Sequence, residues 1–300
     1  MTARTLGLTA LAMLAFAANS LLCRLALHDD SIDAASFGAL RLAAGALMLV
    51  ALLRLRSATA AAPATATAVR PDWRAAALLF AYVAGFSFAY RSLTAGTGAL
   101  ILFGAVQLTM FAAGLRAGER FSAAAWAGFV LALAGLLYLV APGVAAPSPR
   151  GAALMAAAGV AWGGYSLRGR GAGDPLAATA GNFMRATPMA LVLGLLLGLV
   201  FADPWHATPS GAALAVASGA ISSGLGYVVW YAALPGLSAL RAATVQLSVP
   251  PLAAAGGVLL LSEAMSMRLL QASAAILGGV AVVLLSRSLA ARPRADPRDR

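Results

Sequence analysis

The sequence predicts an all-α integral membrane protein: ten transmembrane helices as two inverted five-helix repeats, with a central cavity near the midplane. Three observations lead there. Hydrophobic residues make up 61% of the 300 and charged residues only 10%, with a mean hydropathy of +0.86, well outside the range of soluble domains. The apolar residues gather into ten runs of lipid-crossing length, about 20 residues for about 30 Å of hydrocarbon. Finally, the second five runs repeat features of the first five in order, as a duplicated membrane protein does.

The runs cover approximately 5–27, 34–54, 74–93, 96–115, 121–141, 151–168, 177–202, 209–231, 237–261 and 267–288. They lack the alternating pattern of barrel strands, and backbone groups in lipid must be satisfied internally, so each is a helix. The first run resembles a signal peptide in having Arg4 before an apolar stretch, but it continues past the small residues Ala15 to Ala18 and is kept as a helix. Between the second and third runs, SATAAAPATATAVRP is low-complexity sequence and reads as a flexible linker. Trp73, Trp126 and Trp205 stand at predicted helix ends, where amphipathic rings favour the interface.

Every basic residue is an arginine, and their placement sets the orientation. With the N-terminus inside, fourteen arginines fall on the cytoplasmic side and three (Arg91, Arg150, Arg268) on the other. Both termini are therefore expected in the cytoplasm, with the cell inner (plasma) membrane as the location. The net charge of +11 is accounted for by this topology, and no basic, aromatic face for nucleic acid exists outside the apolar runs.

The repeat can be followed residue by residue. Phe16, Ser20 and Arg24 answer Trp162, Ser166 and Arg170, while Arg41 answers Arg185. Tyr82, Phe86 and Tyr90 answer Ser223, Tyr227 and Tyr231. Val106, Gln107, Leu108 and Thr109 answer Val245, Gln246, Leu247 and Ser248, and Glu119 answers Glu263. Residues 1–141 and 150–288 thus form two repeats, followed by a basic cytoplasmic tail over 289–300. Five is odd, so the second repeat enters the membrane from the opposite side. The halves are related by a pseudo-two-fold axis in the membrane plane, the symmetry that alternating access uses.

The candidate substrate-binding residues follow from this layout. Residues at i, i+4 and i+8 share a helical face, so Tyr82, Phe86 and Tyr90 form one aromatic stripe, and Tyr227 and Tyr231 belong to its counterpart. Tyrosine hydroxyls facing lipid at mid-depth would lack partners, which favours a cavity. Trp162, too deep for an interface anchor, and Tyr165 extend that wall. Gln107 and Gln246 are polar, uncharged and deep, suited either to interhelical hydrogen bonds or to substrate contact. Asn19, Ser20 and Asn182 are weaker candidates of the same kind. Arg41 and Arg185 are costly in lipid, about 2.5 kcal/mol or more each unless paired. Both a carboxylate of the substrate and helix-end carbonyls suit them. Glu119 and Glu263 end their helices and read as structural.

Catalysis needs a nucleophile with a base or a carboxylate pair, and no helix offers one, so an enzyme is not expected. Cys23 is the only cysteine, which excludes an intrachain disulfide and a cysteine-based metal site. His28 and His206 fall in predicted loops. Neither a metal nor a cofactor is expected.

The stretch TVQLSVPPLAAAGGVLLLSEAMS, residues 244–266, and its weaker counterpart AVQLTMFAAGLRAGERFS, residues 105–122, resemble the drug/metabolite transporter superfamily, specifically its EamA-type members. The first copy lacks the proline pair that stands at Pro250 and Pro251 in the second. The resemblance implies a carrier of small metabolites. Trp162 and the tyrosines of the third and eighth runs are similar to the aromatic amino-acid exporter branch, which implies export of aromatic and other apolar amino acids. The partners expected are a small-molecule substrate and the lipid bilayer, with no nucleic acid, and the carrier is expected to be a monomer. Proton-coupled carriers relay through buried acids or histidines, which these helices lack, so facilitated diffusion or exchange is expected. A broad drug/metabolite efflux pump and a channel-like pore are the alternatives.

Overall fold

A computed structural model describes residues 2–59, 72–143, 145–169, 173–201, 205–237, 242 and 245–290. The linker over 60–71, the tail over 291–300, Arg170 and Arg241 lie outside the described residues. The elements are helices throughout: α1 (Ala3–His28), α2 (Ala34–Thr59), α3 (Trp73–Tyr90), α4 (Ala95–Arg116), α5 (Ala123–Val140), α6 (Pro149–Arg168), α7 (Pro175–Phe201), α8 (Pro209–Gly236), α9 (Val249–Leu261) and α10 (Met267–Ala290). Eight of them are long and apolar enough to span a membrane; α6, flanked by Arg150 and Arg168, and the shorter α9 complete the bundle.

The helix starts follow local chemistry. Thr2, Asp72, Thr94, Ser122, Ser148 and Thr208 each accept a hydrogen bond from the backbone N–H three residues on. Each such cap stabilises its helix by about 1 kcal/mol. The ninth run departs from a continuous helix over its described residues. Val245 and Gln246 are helical, Leu247 and Ser248 form a turn, and α9 begins at Val249. Pro250 and Pro251 supply no N–H to the preceding turn, so they fit only the first turn of a new helix.

α8 is irregular in another way, being π-helical over Ser218–Leu225. This segment lies against α2 so closely that a Cβ on Gly219 would stand 2.1 Å from the Arg41 carbonyl oxygen. Glycine is required there. At the α5–α10 contact, Gly128, Ala132 and Gly135 share one face, and added Cβ atoms on Gly128 and Gly279 would each fall 2.5 Å from the other glycine's carbonyl. Small residues permit this approach, which replaces the hydrophobic drive that lipid cannot supply between helices. Leu195, Leu199, Leu259 and Leu260 point outward, as lipid contact requires.

The other main contacts set α2 on α7, α3 on α6, α4 on α6, α1 on α8, and α1 and α4 on α9. One end of the bundle is pinned by the 29–33 and 205–208 segments. There Asp33 caps α2 through Ala35 and Ser36 while accepting from the His206 backbone N–H, and Thr208 donates to the Ser31 carbonyl.

Candidate functional site: a central aromatic cavity

Six elements converge on a central cavity. α1 supplies Phe16, Asn19 and Ser20; α3 supplies Tyr82 and Phe86; α4 supplies Leu102 and Phe103; α6 supplies Trp162, α8 supplies Tyr227, and Gln246 closes the wall. Five of the sequence-predicted residues therefore meet there: Tyr82, Phe86, Trp162, Tyr227 and Gln246. Trp162 is the hub. Its ring lies 4.8 Å from Tyr82, 5.5 Å from Tyr227 in a stacked arrangement, and 5.4 Å from Tyr165. Such contacts contribute about 0.5–1.5 kcal/mol each beyond area burial.

Four predicted residues stand away from the lining. Tyr90 packs edge-on to Phe86 and donates its hydroxyl to the Ala95 carbonyl at 3.2 Å. Tyr165 backs Trp162, and its hydroxyl receives the Asn182 amide at 3.5 Å. Tyr231 shares a hydrogen bond with Thr179 at 3.2 Å. Gln107 is half-buried on α4. Gln246 is anchored by its amide donating to the Ala242 carbonyl at 3.2 Å, which leaves its amide oxygen as the group to orient a ligand.

Phe16, Leu102 and Phe103 were not singled out as site residues by the sequence. Phe16 had a usable signal, because it answers Trp162 in the repeat, and its ring lies 5.8 Å from Tyr227. Leu102 and Phe103 carry no signal that separates them from the apolar residues around them.

The cavity volume is about 30 Å³. That is room for only a few waters, far below the roughly 300–1,000 Å³ of sites that enclose small molecules. Polar clasps tie the helices together at both ends of the bundle. At one end Arg24 Nε donates to Glu263 Oε1 at 3.0 Å, Arg24 Nη1 donates to the Tyr90 carbonyl at 3.0 Å, and Glu263 Oε2 accepts from the Ala95 N–H at 2.8 Å. This ties α1 to the α3–α4 turn and the α9–α10 connection. At the other end Arg168 pairs with Asp72 at 3.0 Å, and Arg56 pairs with Asp174. Three backbone and side-chain donors led by the Ala75 N–H hold Asp72 below its ordinary pKa, and the Arg56 guanidinium does the same for Asp174.

The two repeat-related arginines differ. Arg185 is half-buried, donates to the Gly181 carbonyl at 2.8 Å and lies over the Trp73 ring. Arg41 is wholly buried beside the cavity wall, bonded to Tyr82 and Ser223.

Comparison with known proteins agrees with this architecture. The model of the EamA-like transporter family matches residues 149–285, the stretch that carries the proline pair. An uncharacterized protein, PA1977, of Pseudomonas aeruginosa is 57% identical over 284 residues, covering 95% of this chain and 96% of that one. A solved crystal structure of a protein 21% identical in sequence superposes with a TM-score of 0.65, covering 98% of this chain and 100% of that one, and speaks to the fold alone. An all-helical apolar bundle with this match in its second half, and a relative spanning nearly its whole length, belongs to the EamA-like transporter family.

Proposed function

We propose that the protein exports amino acids, aromatic and other apolar ones, and related small metabolites across the inner membrane by alternating access. The observation that carries this is the cavity built around Trp162, where stacked rings can receive an apolar side chain while hydroxyl and amide groups orient its polar end. The clasped ends favour a carrier over a channel, because a pore needs no closure on both sides. The lining residues are neutral, which supports facilitated diffusion or exchange.

Two inverted five-helix repeats, 1–141 and 150–288, are part of this proposal. Under exchange of the halves the contact of α3 on α6 maps onto that of α8 on α1, and α4 on α6 maps onto α9 on α1. The α2–α7, α4–α9 and α5–α10 contacts map onto themselves. With both termini cytoplasmic, the Arg24–Glu263 clasp faces outward and the Arg56–Asp174 and Arg168–Asp72 clasps face inward. The carrier works as a monomer in the bilayer.

The test is counterflow of labelled phenylalanine in proteoliposomes loaded with unlabelled amino acid, with a panel of other amino acids as competitors. Saturable counterflow inhibited by aromatic and apolar members is expected. Non-saturating flux would indicate a pore, and flux driven by an imposed pH gradient alone would overturn facilitated diffusion.

A further inference from the structure

Arg41 is 1% exposed, and its Nη1 is the buried side-chain nitrogen or oxygen with no hydrogen-bond partner among the described residues. No carboxylate among the described residues forms an ion pair with it. Its Nη2 donates to the Tyr82 hydroxyl at 3.0 Å and its Nε to Ser223 Oγ at 3.3 Å. The guanidinium carbon lies 5.2 Å from the Tyr82 ring centre and 4.8 Å from that of Phe86. A buried, uncompensated cation is costly and marks function in a membrane protein.

What Arg41 imposes on its neighbours is a direction. A guanidinium has donors only, so both hydroxyls it touches must accept. Tyr82 then keeps its own hydrogen for another acceptor, and none lies among the described residues. Ser223 passes its hydrogen to Asn19 Oδ1 at 3.4 Å, and Ser218 donates to the same oxygen at 2.9 Å. With its oxygen occupied twice, Asn19, which lines the cavity, keeps its amide hydrogens for a ligand. The π-helical segment of α8 makes this possible. Residues five apart, such as Ser218 and Ser223, stand about 140° apart on an α-helix with 3.6 residues per turn, whereas the i→i+5 pattern brings them to one face. The polar side of the cavity therefore offers hydrogens from Tyr82 and Asn19, backed by a positive charge.

We propose that this cluster is the seat of an anionic carboxylate: the substrate's acid group accepts from Tyr82 Oη and Asn19 Nδ2, with Arg41 as its counter-charge. The inference rests on the carrier reading and narrows it, since the acid group rather than the amine becomes the polar requirement. The residue that answers Arg41 in the second half, Arg185, instead donates to a carbonyl of its own helix.

The experiment titrates the full-length protein in nanodiscs with 3-phenylpropionate, an acid without an amine, and with 2-phenylethylamine, an amine without an acid, following tryptophan fluorescence. Saturable binding of the acid, at least tenfold tighter than the amine, is expected. Tyr82→Phe keeps the ring and removes the hydroxyl, both the donor to the acid and the acceptor from Arg41 Nη2, and is expected to weaken the acid severalfold and leave the amine unchanged. Arg41→Gln is expected to abolish the preference. Equal binding of acid and amine, no binding of the acid, or a Tyr82→Phe variant that shifts both alike would overturn the proposal, and Tyr82→Phe decides the matter if Arg41→Gln does not fold. Counterflow of phenylalanine in the same preparations tests the carrier reading separately, so a protein that binds the acid without counterflow refutes that reading alone.

Discussion

Neutralising Glu263 should open the Arg24–Glu263 end of the bundle, and the chain carries its own reporter. The Arg24 and Glu263 side chains are 12% and 10% exposed, between a surface pair contributing about 0–1 kcal/mol and a buried one whose breakage costs about 3–5 kcal/mol. Glu263→Gln removes the charge but retains an oxygen to accept from the Ala95 N–H, and Arg24 retains the Tyr90 carbonyl. A loss of about 2 kcal/mol from the clasped state follows, and at 1.4 kcal/mol per factor of ten the unclasped fraction rises about thirtyfold. Cys23, next to Arg24 on α1, is 0% exposed and is the only cysteine in the chain. Its reaction with a water-soluble maleimide therefore reads how often the clasp opens. The labelling rate of Glu263→Gln should exceed that of the wild type about thirtyfold at constant protein, with an unchanged elution profile in size-exclusion chromatography. A folded Glu263→Gln protein labelled at the wild-type rate would refute the assignment of this ion pair as a clasp.

Other outcomes follow from the same geometry. Trp162→Ala removes the ring at the hub of the wall, and losing one ring contact with the substrate, about 0.5–1.5 kcal/mol, should raise the half-saturation constant of phenylalanine counterflow by about two- to tenfold; an unchanged constant would count against the aromatic cavity. Gly219→Ala drives a Cβ against the Arg41 carbonyl and should destabilise by about 1–3 kcal/mol, seen as a lower melting temperature. Gly7→Ala, which meets nothing within 4 Å, should be neutral or raise it, since alanine favours a helix by up to about 1 kcal/mol. Asp72 and Asp174 have folded pKa values below the ordinary 3.8, so their contribution is complete above about pH 4 and is lost as pH falls through the depressed values. The melting temperature should hold from pH 7 to about pH 4 and then drop, and Asp72→Asn with Asp174→Asn should shrink that drop; an identical acid limb in the double variant would show that the Asp72 and Asp174 ion pairs do not stabilise the fold.

The bundle was legible in the sequence because lipid dictates length and polarity, and these are one-dimensional properties. Where the boundaries moved, a backbone property intervened: Pro250 and Pro251 start α9 after a turn and end the continuity of the ninth run. The aromatic stripes were legible in direction but not in extent. Tyr82 and Tyr90 are eight residues apart, about 12 Å along a helix, and of the two only Tyr82 lines the cavity. Tyr90 therefore serves the clasped end through Ala95, and its counterpart Tyr231 bonds Thr179.

The arginines show what sequence symmetry conceals. Arg41 and Arg185 stand at matching positions, yet Arg185 reaches a carbonyl of its own helix while Arg41 is covered by the π-helical segment of α8. Its serines and glycines, SGAISSGLG over 218–226, are weak helix formers, which hints at irregularity without giving its hydrogen-bond pattern. A two-fold scaffold can present the same rings to both faces of a substrate, but a molecule with an acid at one end and an apolar group at the other needs unlike walls. The π-helical segment makes the walls unlike: it gathers Ser218, Ser223 and Asn19 beside Arg41 and Tyr82, while Trp162 stacks on Tyr165 and Tyr227. Straightening that segment should therefore leave the fold and the aromatic contacts in place while removing the orientation of the substrate.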